Sequence, residues 1–183
     1  MNVLIIGEGG RESAILHQTL LSPKVSKVFI APGNGGTSEL CTNVNIPSDN
    51  ISELAKFAVD NKIDLTIVGP EIPLSLGIVD LFESKGLKIF GPSKNASRIE
   101  SSKIFAKNLM KEFNIPTAKF EVFENEISAI NFLNKTEFPI VIKADGLAAG
   151  KGVYISKNFS EAKQAVKEIF DGKFGIAKKI LVE

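Results

Sequence analysis

Hydrophobic residues in this chain come in short unbroken runs, separated by longer stretches where they recur every three or four positions. The runs NVLII (2–6), KVFIA (27–31), LTIVG (65–69) and LKIFG (87–91) are rich in β-branched and aromatic residues and stop at Gly or Pro. Runs apolar at successive positions predict parallel strands buried on both faces. Between them lie RESAILHQTLL (11–21), SELAKFAVDNK (52–62) and LSLGIVDLFESKG (74–86). The last two carry apolar residues at helical spacing, and all three stretches are predicted helices. Strand and helix in alternation predict an α/β fold, a Rossmann-like parallel sheet with right-handed crossovers. Ligands in such a unit bind at the carboxyl ends of the strands.

The pattern changes near residue 92. GPSKNASRIESSKIFAKNLMKEFNIPT predicts one or two helices that stop at Pro116. The strand-like runs KFEVF (119–123), PIVIK (139–143), GVYIS (152–156) and KILVE (179–183) follow, with helical patterns near 126–134 and 160–170. The expected organisation is therefore an N-terminal domain over 1–100, linker helices over 101–117, and a small α+β unit over 118–183. The last unit ends on a strand with no turn after it, which reads as an interrupted domain. Its apolar faces are expected to await a partner, making it the mobile part.

Composition narrows the function classes. The chain has 183 residues, 44% hydrophobic and 23% charged, ordinary for a globular protein. Lys and Arg number 22 against 21 Asp and Glu, so the basic face of a nucleic-acid binder is not expected. Trp is absent and Tyr154 is the only tyrosine, which leaves little for base stacking. No apolar run approaches the ~18 residues of a membrane span. MNVLIIGEGG lacks the basic n-region of a signal peptide. Cys41 is alone and reads as a small, partly buried residue. A cytoplasmic location fits these features.

Two glycine-rich loops carry the candidate chemistry. Gly7-Glu8-Gly9-Gly10-Arg11-Glu12 joins the first strand to a helix. Glycines there let backbone N–H groups approach an anion, and a helix N-terminus adds partial positive charge. A dinucleotide fingerprint needs a third glycine where Glu12 stands, and an acidic residue after the second strand, where the sequence reads Ala31-Pro32-Gly33-Asn34. A phosphorylated sugar fits better than NAD, with Arg11 as a donor fork and Glu12 accepting from hydroxyls. Gly33-Asn34-Gly35-Gly36-Thr37 and Gly69-Pro70-Glu71-Ile72-Pro73-Leu74 leave strand ends on the same side, Glu71 on a loop stiffened by two prolines.

The second loop, Gly146-Leu147-Ala148-Ala149-Gly150-Lys151-Gly152, is not a Walker A loop. That motif has four residues between its glycines and a Ser/Thr after its Lys, and then opens a helix. Here the loop joins two strands predicted to be antiparallel, as a flap that folds over a triphosphate. Lys143 points into the same space. Asp145 is ambiguous, with turn capping the simpler role.

Several stretches together carry a family resemblance: VLIIGEGGRES (3–13), APGNGGT (31–37), DLTIVGPEIPLSLGIVD (64–80), LKIFGPS (87–93), ESSKIFAKNLM (100–110), IPTA (115–118) and PIVIKADGLAAGKGV (139–153). In this order the chain resembles the N-terminal portion of the phosphoribosylamine–glycine ligase family within the ATP-grasp superfamily. The resemblance implies a Rossmann-like pre-ATP-grasp domain followed by a truncated small ATP-grasp subdomain. It implies a reaction of de novo purine biosynthesis, in which ATP converts glycine to glycyl phosphate. The amine of 5-phosphoribosylamine then attacks, giving glycinamide ribonucleotide, ADP and phosphate. By the family pattern Gly9, Gly10, Arg11, Glu12, Asn34, Thr37, Pro70 and Glu71 face phosphoribosylamine. Lys103, Lys143, the flap (Gly146, Ala148, Ala149, Gly150, Lys151 and Gly152) and Glu183 bind ATP. The cofactors implied are ATP and Mg2+ or Mn2+, with metal ligands, catalytic residues and the glycine site expected beyond residue 183.

Two departures stand out. Residue 13 is Ser where the family has His, so a hydroxyl takes that place or nothing does; His17 lies one helical turn on. The chain is also far shorter than the family, so the expectation is no ligase activity from it alone. The alternatives are a non-catalytic phosphoribosyl- or nucleotide-binding module, or half of a split enzyme needing a separate C-terminal half. The GGRE, APGN and VGPE combination argues against a related ATP-grasp carboxylase or formyl transferase.

Overall fold

A computed structural model describes residues 1–147, 151–175 and 179–183. The chain divides into two compact units, Met1–Ser97 and Arg98–Glu183.

The first unit alternates strand and helix: β1 (Asn2–Gly7), α1 (Gly10–Leu20), β2 (Lys27–Pro32), a 3-10 turn (Thr37–Glu39), β3 (Thr42–Asn43), α2 (Ile51–Asp60), β4 (Leu65–Val68), α3 (Glu71–Leu76), α4 (Ile78–Ser84) and β5 (Ile89–Phe90). Its sheet is parallel in the order β3-β2-β1-β4-β5. The unbroken apolar runs are explained by burial on both faces. Leu4, Ile6, Phe29 and Ala31 pack with Leu54, Ala55 and Ala58 of α2 and Ile78, Val79 and Phe82 of α4. The alternate residues Val3, Ile5, Val28 and Ile30 pack with Leu16 of α1 on the opposite face.

The single helix expected over 74–86 is two helices. Gly77 takes φ +94, and its amide donates to the Leu74 carbonyl at 3.0 Å, ending α3 and opening α4. The left-handed conformation favours glycine and breaks a helix even where the apolar spacing continues. Glu71 accordingly sits in the first turn of a helix, not in the expected loop. Strand β3 was not expected, being only two residues long.

The second unit contains α5 (Arg98–Ser101), α6 (Lys103–Glu112), β6 (Glu121–Phe123), α7 (Glu126–Leu133), β7 (Ile140–Ala144), β8 (Val153–Ser156), α8 (Phe159–Phe170) and β9 (Ile180–Val182). Its antiparallel sheet has the order β6-β9-β7-β8, so the flap does join antiparallel neighbours. One face buries Ile140, Ile142, Ala144, Ile180 and Val182 against Ala129 and Leu133 of α7 and Ala162, Ala165, Val166 and Ile169 of α8. Asn125 and Asn158 cap α7 and α8 by accepting from Ser128 N at 2.9 Å and Glu161 N at 3.0 Å. Glu168 of α8 accepts from Tyr154 Oη and Lys173 Nζ, each at 2.5 Å, and from Gln164 Nε2 at 3.0 Å. Hydrogen bonds from Lys173, then Tyr154 and Gln164, hold the Glu168 carboxyl down at about 2.

Candidate functional site

In the first unit, the register of β1 with β2 (Gly7 opposite Pro32) and with β4 (Ile6 opposite Val68) brings three loops to one sheet edge. All eight sequence-predicted sugar-phosphate residues lie on these loops or the helix turns that continue them. They divide into a scaffold and an open rim.

Glu12 belongs to the scaffold. It is 4% exposed and turned inward, its Oε2 accepting from Gly9 N at 2.7 Å. Gly7 and Gly69 leave room for it. A Cβ built on Gly7 would lie 2.5 Å from Glu12 Cγ, and one on Gly69 would overlap Oε1 and lie 2.5 Å from Cδ. These two glycines therefore make space for a carboxylate of the protein itself. Thr37 is likewise buried. Its hydroxyl accepts from Asn34 N at 2.8 Å and lies 2.9 Å from Asn43 Oδ1. Asn34 Oδ1 accepts from Gly36 N at 2.9 Å and Thr37 N at 3.1 Å, and its Nδ2 donates to Glu8 O at 2.8 Å and Ser13 Oγ at 3.2 Å. Ser13 thus ties the first loop to the second, a role the sequence alone did not assign.

The rim is more open. A Cβ on Gly10 would meet nothing within 4 Å. Arg11 Nη1 donates to the Gly69 carbonyl, and its Nη2 lies 3.0 Å from Glu71 Oε1. Both side chains remain well exposed, at 57% and 42%. Pro70 precedes α3 and directs Glu71 into its first turn. An exposed guanidinium, an exposed carboxylate and the amide end of α1 form a rim that suits a phosphate with hydroxyls attached.

In the second unit, the sheet face away from the α7–α8 core carries Val141, Lys143, Val153, Ile155 and Glu183. Pairing places Val141 opposite Ile155 and Lys143 opposite Val153, and Val141 exchanges both backbone hydrogen bonds with Glu183, at 2.7 and 2.8 Å. Val153 and Ile155 are exposed by 44% and 72%, an apolar shelf beside a lysine and a carboxylate. Lys143 Nζ donates to Glu183 Oε2 at 2.6 Å. Lys107 Nζ lies 2.5 Å from Glu183 Oε1. Burial pushes the Glu183 carboxyl up, but its two lysine partners outweigh that and hold it below the ordinary carboxylate range.

Helix α6 is docked onto the root of the flap. Its N-cap Ser102 accepts from Phe105 N at 3.1 Å, and the Ser102 hydroxyl lies 3.1 Å from both Asp145 oxygens. Asp145 Oδ1 also accepts from Ile104 N at 3.1 Å, while Lys103 Nζ donates to Gly146 O at 2.9 Å. Asp145, ambiguous in the sequence, thus caps a helix more than forty positions away. Lys103, Lys143, Gly146 and Glu183 are brought into one unit with Lys107, which sequence reasoning missed; its spacing of four from Lys103 on α6 was the available signal. Of the predicted flap residues Gly146, Lys151 and Gly152 are described, whereas Ala148, Ala149 and Gly150 lie outside the described residues.

Comparison with known proteins addresses the same two units. The profile of the phosphoribosylglycinamide synthetase N domain matches residues 1–100, and that of the phosphoribosylglycinamide synthetase ATP-grasp (A) domain matches 101–183. The chain belongs to the phosphoribosylglycinamide synthetase family. It is 54% identical over 166 residues to phosphoribosylamine–glycine ligase of Caldanaerobacter subterraneus subsp. tengcongensis, covering 91% of this chain and 40% of that protein. It is 47% identical over 190 residues to the same enzyme of Clostridium acetobutylicum, covering 100% of this chain and 44% of that protein. The crystal structure of phosphoribosylamine–glycine ligase from Thermotoga maritima matches with a TM-score of 0.78 at 29% identity, over 100% of this chain and 43% of the other. N5-carboxyaminoimidazole ribonucleotide synthetase from Thermotoga maritima, at 19% identity and TM-score 0.71 over 100% and 45%, shares the fold. The chain therefore spans about two-fifths of the length of the curated relatives it matches. The α/β N domain and the small ATP-grasp portion expected from the sequence are those of this family. No helix among the described residues is long and apolar enough to cross a membrane.

Proposed function

We propose that this chain forms two half-sites of an ATP-dependent ligase that joins glycine to 5-phosphoribosylamine through glycyl phosphate in the cytoplasm. The observation that carries the reading is the arrangement of the second unit. Lys103 and Lys143 flank the flap root while Glu183 and the Val153–Ile155 shelf lie on the same sheet, in a segment that matches the family's ATP-grasp domain. Lys103 and Lys143 supply cations for nucleotide phosphates, with Lys151 and the flap amides covering them. Val141, Val153 and Ile155 offer apolar contact to a base, and Glu183 an acceptor at its edge. In the first unit Arg11 and the Gly10 amide hold the sugar phosphate and Glu71 accepts from hydroxyls, the Gly9 amide being taken by Glu12. Glu12, Asn34, Thr37 and Pro70 keep those groups in place.

ATP supplies the phosphoryl group that activates a carboxylate, and Mg2+ or Mn2+ neutralises the charge that develops on it. Among the described residues no cluster of three or more His, Cys, Asp or Glu side chains could hold a metal ion. The metal ligands, the glycine site and the catalytic groups are assigned to the part of the relatives that this chain does not span.

Ribose 5-phosphate, a stable stand-in for the labile amine, and Mg-ATP should each raise the melting temperature of the chain. Failure of ribose 5-phosphate at millimolar concentration overturns the sugar-phosphate half-site, and a shift with NADH instead restores a dinucleotide reading. ATP-dependent phosphate release with glycine and phosphoribosylamine from this chain refutes the assignment of catalysis to the remainder.

A further inference from the structure

Lys107 differs from the lysines beside it. Its side chain is 13% exposed, and its ammonium is fully engaged: 2.5 Å from Glu183 Oε1, 2.6 Å from Thr117 Oγ1, 3.4 Å from Ala118 O, and 5.7 Å from the Phe120 ring centre. An ammonium has three hydrogens to give, and none of these is left for a phosphate. Glu183 Oε1 is closed to solvent and has no partner of hydrogen-bond geometry among the described residues, so the Lys107 ammonium 2.5 Å away meets it as a counter-charge. Oε2 meets Lys143, whose side chain is 25% exposed. An ionised carboxylate offers about four lone-pair directions and no hydrogen. With a cation on each oxygen, Glu183 is a fixed group that can only accept.

We propose that Lys107 is a positioning residue that sets the base preference of the nucleotide half-site, by keeping Glu183 ionised and aimed as an acceptor. This rests on the reading above that Glu183 meets the base. Such a group pairs with the exocyclic amino group of adenine. It faces the keto oxygen of guanine with a second acceptor, a mismatch that polar sites discriminate strongly. Without the Lys107 charge, burial favours the neutral carboxyl. Its O–H can donate to a keto oxygen, and the preference narrows.

The test compares ATP and GTP as the concentrations giving equal melting shifts of the whole chain, with Mg2+ present. The wild type should favour ATP by about tenfold or more, or about 1.4 kcal/mol. Lys107→Met should bring the ratio to within about threefold, a narrowing of about threefold or more, whereas Lys107→Arg, which keeps the charge, should retain it. A purely structural role would weaken both nucleotides alike and leave the ratio unchanged. If Lys107→Met does not fold, Lys107→Gln removes the charge while keeping a donor toward Thr117. In the nucleotide-free chain, carbon NMR should show the Glu183 carboxyl titrating at higher pH in the neutral variant. A neutral variant with the wild-type ratio, or with an unmoved Glu183 titration, overturns the inference alone. Absence of any shift in the wild type with either nucleotide overturns the reading of the half-site and the inference with it.

Discussion

Placing alanine at position 69 tests whether Glu12 is what makes that glycine necessary. The backbone of Gly69 is not in the left-handed region, so alanine is disfavoured only by the space Glu12 fills. Its Cβ would overlap Oε1 and lie 2.5 and 2.6 Å from Cδ and Cγ, and Glu12, 4% exposed, has little freedom to retreat. Overpacking of this kind costs about 1–3 kcal/mol. Glu12→Ala loses the 2.7 Å bond from Gly9 N at the start of α1, worth about 1–2 kcal/mol for a charge-assisted cap. Independent sites would give a double variant destabilised by the sum, about 2–5 kcal/mol. The geometry predicts otherwise. Once Glu12 is gone the methyl group introduced by Gly69→Ala has room, so the double variant should cost no more than Glu12→Ala alone, within about 0.5 kcal/mol. Native-state hydrogen exchange of the Leu4 and Ile6 amides in the whole chain reads the opening of this unit separately from the other. Additive single effects would refute the reasoning. Gly7→Ala should show no comparable rescue, because Gly7 also holds φ +128.

Asp145→Ala removes the acceptor for Ser102 and Ile104; it should destabilise the second unit by about 1–2 kcal/mol and speed exchange of the Ile104 amide, while Asp145→Asn keeps most of that protection. Glu168 is held at about 2 against an ordinary 4.5, so its contribution to stability is complete above pH 4.5 and is lost as pH falls toward 2. A Glu168→Gln variant should therefore show a flatter loss of stability across that window in acid titrations followed by circular dichroism. Leu133→Ala, at a side chain 1% exposed in the second core, should cost about 2–5 kcal/mol in urea unfolding.

The strands were legible because burial on both faces writes unbroken apolar runs, as at Val3–Ile6 and Val28–Ala31. The break at Gly77 was not, since Leu74, Ile78, Val79 and Phe82 keep helical spacing across it and only the backbone angle marks the change. The loops were correctly gathered at one edge, but the division of labour within them was hidden. Glu12 and Arg11 are adjacent in sequence, yet one turns into the turn and the other out to Glu71, a choice made by Gly7 and Gly69. The tasks of Asp145 and Lys107 depend on partners far along the chain, Ile104 and Glu183, and no local pattern announces such pairs.

The Asn34 loop bears on how this protein ages. Asn34 precedes Gly35, the neighbour that least obstructs spontaneous loss of the side-chain amide through a cyclic imide. That reaction needs the Asn34 side chain to swing onto the next backbone nitrogen. In the fold it is held by Glu8, Ser13, Gly36 and Thr37. The bonds that shape the loop therefore also protect it chemically. Each opening of the loop exposes Asn34 to conversion into a carboxylate that cannot donate to Glu8 or Ser13, so the damage removes the protection that delayed it. The mass gain of the peptide containing Asn34, followed over storage, becomes a clock for how often this edge of the sheet comes undone.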